Sequence, residues 1–427
     1  MWERLKVSLH RGRKPLRYML LKPLLQNQQL SQASLQQKQQ YHLNHIIRFA
    51  CQHTDYYQKR YAGLIGEKTI ANISRLPILQ KQDVIKNREA MLADTAERDQ
   101  IKLGYTGGST GTPVSFYVDA YKTELMRAGM MRSYMWSGWR PGQKVLNFWG
   151  AKQDIKQDSL KKRFNNFTAA EKTIHAWEYD EQKLQQWVQF IKAWQPVLIQ
   201  GYASIIADVA RFIVDNKIPM PSSIIGVYST AEVLYDSQRE LIQQAFHCKV
   251  TNQYGCREIP NIGLECSHGN MHVFSDMVYL ESGAEEQLLI TSLTNKLMPM
   301  IRYANGDTGR LKEGRCGCGS PFPMMEMGLC RSNDFIKTGS GKKIAPSYFN
   351  RLLDGVSGIR RYQFIQTGLD KLVLNVKTEN ELDKGLQALI QDKIQREVDA
   401  GMTFEIIQSD EIQRTSAGKY RFVISEV

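Results

Sequence analysis

The run Tyr105-Thr106-Gly107-Gly108-Ser109-Thr110-Gly111-Thr112-Pro113 places three glycines and four Ser/Thr hydroxyls within nine residues. Glycine lets the backbone approach an anion closely, and the N–H groups and hydroxyls of such a loop can wrap a polyphosphate. The run lacks the Gly-Lys-Ser/Thr ending of a Walker loop, and no such tripeptide occurs in the chain. Taken alone, a run of this composition is also what a flexible turn looks like. Its expected setting is between a helix and a strand-like stretch at 114–118.

Outward from this loop the hydrophobic pattern alternates in type. Residues 120–136 read as a helix, 144–148 as a strand, 182–194 as a helix and 196–200 as a strand. A strand at 224–228, a helix at 236–246 and a strand at 249–254 follow. This succession predicts an α/β body with largely parallel pairing. Upstream, 26–58 is rich in Gln and His, yet Leu35, Tyr41, Leu43, Ile46, Ile47 and Ala50 recur at helical spacing, so it reads as helix. After Gly309 the texture turns Gly- and Cys-rich. From Arg331 onward the pattern is that of a small α+β unit, with strands at 361–367, 371–376, 402–408 and 420–425 and a helix at 379–398. The division is a helical segment at 1–65, a large α/β domain at 66–330 and a small domain at 331–427.

Composition narrows the class. The 427 residues are 42% hydrophobic and 23% charged, which fits a globular protein and excludes a disordered tail. No stretch offers the roughly 18 apolar residues of a membrane span, and residues 1–20 mix Arg and Lys through their apolar positions, unlike a signal peptide. A cytoplasmic protein with reduced cysteines is the expectation, and the seven cysteines suit thiols or metal ligands better than a disulfide framework. The net charge of +13 calls for an anionic partner. Arg4, Lys6, Arg11, Arg13, Lys14, Arg17 and Lys22 stand against Glu3 alone, so residues 1–22 carry +6 of it. That segment reads either as an amphipathic helix on a membrane surface or as a helix packed on the body, and the break at Pro15 favours the latter.

Further motifs stand downstream: Tyr254-Gly255-Cys256-Arg257-Glu258, then Arg302 to Gly309 with Asp307, then Arg331-Ser332-Asn333, and Gly418-Lys419 near the end. With the glycine-rich run they form an ordered set that resembles the adenylate-forming superfamily. The resemblance spans residue 100 to the end and is strongest to the phenylacetate-CoA ligase branch, in particular its CapK-like capsular polysaccharide biosynthesis proteins. It implies a large multi-subdomain α/β domain with a small mobile α+β lid. It also implies ATP-dependent activation of a carboxylic acid as an acyl-adenylate with release of pyrophosphate, followed by transfer to coenzyme A or another thiol. Transfer of AMP itself to a non-thiol acceptor, and a non-catalytic scaffold role, are the alternatives.

By that resemblance Thr106, Gly107, Gly108, Ser109, Thr110, Gly111 and Thr112 hold the ATP phosphates, with Tyr254, Gly255 and Arg257 also at the nucleotide. Glu258 binds Mg2+, Asp307 and Arg331 meet the ribose, Asn333 is the hinge, and Lys419 is the catalytic lysine carried by the lid. A carboxylate suits a hard dication or paired ribose hydroxyls, and a compact ammonium suits the charge spreading at the α-phosphate. Three positions depart from the pattern: Val114 for a loop lysine, Arg257 for a threonine, and Asn333 for Asp or Lys. Arg257 is read as a partner for an anionic group of substrate or phosphate. The acid pocket is expected around Tyr202-Ala203-Ser204, Tyr228 to Glu232 and Tyr254.

Cys266 and His272 precede Cys316-Gly317-Cys318 by about fifty residues. Three thiolates and an imidazole suit a closed tetrahedral structural zinc, and the CapK-like branch carries a similar pair of segments. The expected ligands are Cys266, His272, Cys316 and Cys318, with His268 as the substitute nitrogen; buried free thiols are the alternative. Cys51, Cys248 and Cys330 are assigned to the core. The expected partners are a small carboxylic acid and a thiol acceptor, with a homodimer and peripheral membrane contact left open and no nucleic acid, since no basic patch interleaved with aromatics stands out beyond the N-terminus.

Overall fold

The computed structural model describes residues 2–65, 73–106, 114–150, 160–331, 335–344, 348–349, 352–353, 359–378, 384–409, 412 and 420–427. Helices α1 (Trp2–Arg13), α2 (Pro15–Asn27), α3 (Gln32–His53) and the short α4 (Asp55–Arg60) and α5 (Lys81–Asn87) lead the chain. Pro15 opens α2 where its missing N–H costs nothing, which explains the break seen in the sequence. Ser31 caps α3 by accepting from Ser34 N at 3.1 Å. Strands β1 (Lys102–Tyr105) and β2 (Ser115–Val118) pair antiparallel, so the glycine-rich run connects a hairpin and does not follow a helix as expected. Helix α6 (Ala120–Met135) follows, with Asp119 accepting from Lys122 N at 2.7 Å as its cap.

The α/β body then runs β3 (Val145–Trp149), α7 (Leu160–Ala169), β4 (Glu171–His175), α8 (Glu181–Trp194), β5 (Leu198–Tyr202), α9 (Ala203–Asp215), β6 (Gly226–Thr230), α10 (Asp236–Phe246) and β7 (Lys249–Tyr254). After it come β8 (Gly263–Glu265), β9 (Met271–Val273), β10 (Val278–Ser282), β11 (Gln287–Ser292), β12 (Tyr303–Lys312) and β13 (Met324–Arg331). One sheet takes all of these strands from β3 onward, in the order β10-β11-β12-β13-β9-β8-β7-β6-β5-β3-β4. Pairing is parallel from β4 to β7 and antiparallel from β7 to β10.

Alternation along the parallel strands sends neighbours to opposite faces. Val145, Leu198 and Tyr228 join the cluster under α2, α3 and α6, whereas Leu146, Ile199 and Val227 join the cluster under α8, α9 and α10. Both faces are covered, as parallel strands require. Within the first cluster Arg132 is fully buried, paired with Asp276 at 2.6 Å and lying 3.9 Å from the Phe274 ring centroid. Asn27 also donates to Asp276 at 2.9 Å, so one buried carboxylate ties α2 and α6 to the turn before β10. Cys51 and Cys248 are half-buried at the edges of the two clusters, not inside them as expected.

The small unit holds β14 (Ile336–Lys337), β15 (Lys343–Ile344), β16 (Ile359–Gly368), β17 (Lys371–Thr378), α11 (Lys384–Glu397), β18 (Thr403–Gln408) and β19 (Val423–Ser425). Its four-stranded sheet, in the order β18-β17-β16-β19, shares with Ile390 and Ile394 a core that includes Phe349, Phe364 and Leu374.

The basic N-terminal segment packs on the body. Lys14 and Arg17 both pair with Glu124 of α6 at 2.7 Å, and the Arg13 guanidinium lies 4.5 Å from the Phe164 ring centroid. Among the described residues no helix is long and apolar enough to cross a membrane. His10 sits in this contact, with Tyr18 at 2.8 Å and Arg17 at 3.3 Å. Burial first, then Arg17, push His10 from 6.5 down to about 4, with Lys14 assisting and Glu171 and Glu124 opposing. As pH falls from 6.5 toward 4, the unfolded segment therefore takes up a proton that the packed one does not, so stability is lost in that window. Hydrogen-exchange protection of the α1 and α2 amides, corrected for the intrinsic rate at each pH, is expected to fall across this range, and His10→Asn to flatten the response; an identical acid response in both proteins would exclude His10 as its origin.

Candidate active site and Cys/His cluster

The end of β7 gathers the candidate residues. Tyr254 closes the strand, and its hydroxyl donates to Asp307 Oδ2 at 3.0 Å. Asn305 Nδ2 donates to the same oxygen at 2.6 Å and to the Tyr254 hydroxyl at 3.0 Å. Gly306, at φ +89, bends β12 here, and the pairing of β12 slips on both sides of Asp307. These bulges aim the carboxylate out of the regular pleat. Asp307 and Arg331 are opposite one another in the β12–β13 register, so the two expected ribose residues share one rung. Burial, then the Asp307 charge, hold the Tyr254 phenol well above its usual range, which keeps it a donor.

After Gly255 the chain turns. Cys256 N bonds Ile259 O at 3.0 Å and Ile262 N returns to Tyr254 O at 3.1 Å, presenting Arg257 and Glu258 from a tight reversal. Glu258 is buried and accepts from the Tyr303 hydroxyl at 2.9 Å. Burial, then the Glu258 charge, push the Cys256 thiol well up, so it stays protonated beside that carboxylate. Arg257 donates to Tyr105 O at 3.2 Å. That carbonyl lies at the entry of the glycine-rich loop.

That loop is pinned at its base. Thr106 N donates to Val114 O at 2.8 Å, and Val114 N donates to Thr106 Oγ1 at 2.8 Å. The Thr106 hydroxyl therefore closes the hairpin. Gly107, Gly108, Ser109, Thr110, Gly111, Thr112, Asn333 and Lys419 lie outside the described residues, as does the side chain of Arg331.

Two expected pocket residues belong elsewhere. Tyr202 and Tyr228 are buried core residues, and the Tyr228 hydroxyl donates to Ser133 O at 2.8 Å, toward α6. Sequence reading missed Lys122. Its Nζ is buried without a hydrogen-bond partner among the described residues, 4.6 Å from the Phe116 ring centroid, and the residue lines a small recess together with Glu258. Burial pulls this ammonium down to about 8 against the attraction of Glu258. Nothing in a first-turn helix position distinguishes such a lysine from an exposed one.

The cysteines meet at a second place. The ligand atoms of Cys266, His272, Cys316 and Cys318 all lie within 4.8 Å of one another. Cys266 and Cys316 sulfurs are 3.6 Å apart, and Cys318 Sγ is 3.3 Å from His272 Nε2. A tetrahedron with Zn–S of about 2.3 Å has vertices about 3.8 Å apart, so the donor set fits that ion with small adjustment. His272 Nδ1 lies 2.8 Å from Phe322 O, which fixes the proton there and turns the Nε2 lone pair to the cluster. His268 instead faces Ser267 Oγ at 3.2 Å, so geometry selects His272. Burial opposes ionisation of both thiols of the Cys-Gly-Cys pair. Hydrogen bonds from Cys318, His272 and Asn270 outweigh it at Cys316 and bring that thiol down to about 6, while Cys318 rises to about 11.

The large sheet changes from parallel to antiparallel pairing at β7, where Glu258 follows the strand and Asp307 of β12 meets Tyr254, and a small α+β unit follows. Residues 336–426 match the family described as the CapK C-terminal domain. The chain is 27% identical to Protein CapK of Staphylococcus aureus, over 86% of this chain and 83% of that one. It is 21% identical to a phenylacetate-coenzyme A ligase of Thermus thermophilus, over 95% and 99% of the two chains. Among solved structures, 2-hydroxyisobutyryl-CoA ligase in the postadenylation state matches with TM-score 0.74 at 16% identity, covering 94% of this chain and 91% of that one. The same ligase with 2-HIB-AMP and CoA in the thioesterification state matches with TM-score 0.61 at 17% identity, over 93% and 91%. The chain is thus similar along most of its length to CapK and to phenylacetate-CoA ligases, and its fold is that of the CoA ligases among the solved structures.

Thr106→Val removes the acceptor for the Val114 amide and leaves the fold intact. Loss of a bond worth about 1 kcal/mol corresponds to roughly fivefold faster hydrogen exchange at Val114, with β16 and β17 amides unchanged as the internal reference.

Proposed function

We propose that the protein is an AMP-forming acid–thiol ligase that activates a carboxylic acid with ATP and passes the acyl group to coenzyme A. The observation that carries this reading is the convergence of Asp307 and Glu258, each held by a tyrosine hydroxyl, on the end of β7 beside the pinned base of the glycine-rich hairpin. Asp307 is suited to the paired hydroxyls of a ribose, because Tyr254 and Asn305 fix one oxygen and set the plane of the carboxylate. Glu258 is suited to Mg2+, which would neutralise charge on the transferring phosphate. Its anchoring to Tyr303 limits the reorganisation needed on binding. The hairpin residues from Gly107 to Thr112 would hold the phosphates, and Lys419 would meet the α-phosphate and the attacking carboxylate. The similarity to coenzyme A ligases supports that thiol as acceptor.

ATP–pyrophosphate exchange with Mg2+ across aromatic, short-chain, hydroxy, amino and sugar acids tests this reading; the last class is included because of the likeness to CapK. Exchange with one acid is expected. Lys419→Ala should lower it by about a hundredfold or more while MgATP still raises the melting temperature. A wild-type protein that MgATP does not stabilise would overturn the assignment.

We infer that the Cys266, His272, Cys316 and Cys318 cluster holds a structural zinc, since the four donors leave no open position for water. Elemental analysis is expected to find about one zinc per chain, and Cys316→Ser to remove it and lower the melting temperature. Metal-free protein of undiminished stability would sink this.

A further inference from the structure

Glu232 lies in the turn between β6 and α10, directly after Ala231, which adopts φ +70. A residue other than glycine is rarely found there, and strain of this kind persists where the surroundings impose it. The turn delivers the Glu232 carboxylate between two bodies. Oε2 accepts from Ser204 N at 2.9 Å, in the first turn of α9, where the unpaired N–H groups of the helix favour negative charge. Oε1 accepts from Tyr420 N at 2.6 Å, in the small unit, on the residue that follows Lys419 in the chain.

Neighbouring contacts make this a built seat. The Tyr420 side chain is bound back to β16, donating to Tyr362 O and accepting from Tyr362 N at 3.0 Å. Arg361 of β16 pairs with Asp208 on α9 and donates to the Tyr179 hydroxyl at 3.1 Å, and that hydroxyl donates to Asp208. Phe422 packs edge-on against Tyr235 with ring centroids 4.5 Å apart. Helix α9 and the β6–α10 turn thus hold the small unit at a charged pair, an aromatic contact and a shared carboxylate.

We propose that Glu232 is a positioning residue for the adenylating step: through the Tyr420 amide it fixes on α9 the small unit, in whose sequence Lys419 precedes Tyr420. The inference rests on the ligase reading for its kinetic consequence and on geometry alone for the latch. Glutamate is required because one carboxylate accepts from two backbone N–H groups on separate bodies. Glutamine offers a single acceptor oxygen, so one of the amides must lose its bond. Asp208 with Arg361 supplies a second hold, so the unit is not released outright when Glu232 is changed.

Two readouts test it on the full-length chain. Hydrogen exchange at the Tyr420 amide should accelerate at least tenfold in Glu232→Ala, which removes both acceptor oxygens, while amides of β16 and β17 keep their rates. With the acid that supports exchange, Glu232→Ala should lower adenylate formation about tenfold with KM for ATP changed less than twofold. Thioester formation from supplied acyl-adenylate should fall less than twofold. If Glu232→Ala does not fold, Asp208→Asn, which loosens the same seat from its other side, should give the same split. Unchanged Tyr420 exchange, or equal loss in both half-reactions, would overturn the proposal. Absence of adenylation in the wild type, with Tyr420 exchange still dependent on Glu232, would overturn the ligase reading and leave the latch standing.

Discussion

Strand β7 is the constraint on which the rest depends, because it pairs parallel with β6 on one edge and antiparallel with β8 on the other. A parallel strand needs a crossover helix to enter it, which α10 supplies, whereas an antiparallel neighbour needs only a tight reversal. The reversal therefore falls at the carboxyl end of the parallel half, where open α/β sheets leave a crevice. Tyr254, Arg257 and Glu258 occupy that reversal. Its shape is enforced from below: Asn261, at φ +55, donates to Met126 O of α6 at 2.9 Å. A Cβ on Gly129 would come within 2.4 Å of the Asn261 amide nitrogen, so α6 must carry glycine there for the reversal to seat. The candidate site thus inherits its geometry in part from the packing of this reversal on α6.

The same helix explains how a surplus of positive charge at the N-terminus is compatible with a folded body. Glu124 and Asp276 are the carboxylates on which Lys14, Arg17 and Arg132 converge. Two charges out of water repay their desolvation only with close geometry and further hydrogen bonds, and removing one partner of such a buried pair typically costs about 3–5 kcal/mol. Asp276 Oδ2 gains a second bond from Asn27 and Arg132 rests on the faces of Phe274 and Phe322, while Asp276 Oδ1 and Arg132 Nε are buried without a hydrogen-bond partner among the described residues. These contacts bind α1 and α2 to the domain that carries the site. Their charge is spent inside the protein and contributes little to attracting an anionic partner.

What was legible in the sequence follows from where a residue's role is set. The helix at 236–246 and the strand at 249–254 coincide with α10 and β7, because amphipathic period and β-branched content are local. Spacing also singled out the cysteines, since a Cys-Gly-Cys pair and a distant Cys/His pair have few other uses. It could not choose between His268 and His272; the choice is made by Phe322, fifty residues away, whose carbonyl fixes the second ring nitrogen. Strand β1 went unread because Lys-Leu-Gly-Tyr is too short to show a period. The expectation of Tyr202 and Tyr228 at the pocket comes from the resemblance, and alternation offers no check on it, because both faces of a parallel strand are apolar. Lys122 and Glu232 carried no local signal, as each depends on what folds around it.

The distribution of charge at the site gives the small unit its part in the chemistry. The described residues contribute two carboxylates there, Glu258 and Asp307, and two cations, Arg257 and Lys122. Arg257 is engaged with the Tyr105 carbonyl, and Lys122 is enclosed behind Glu258. An ATP and a carboxylic acid brought into this setting would raise the local negative charge further, and a low-dielectric cleft magnifies that repulsion. Under the ligase reading, compensation has to arrive with the reactants or from outside the large domain: as Mg2+ at Glu258, and as the ammonium of Lys419. A lysine delivered by a separate body is useful only if that body is held in register. The acceptor that sets the register is itself a carboxylate, Glu232, bonded to the Tyr420 amide that follows that lysine. Under that reading two kinds of carboxylate divide the work: Asp307 and Glu258 would receive the nucleotide and its cation, and Glu232 would hold the small unit to which the lysine belongs.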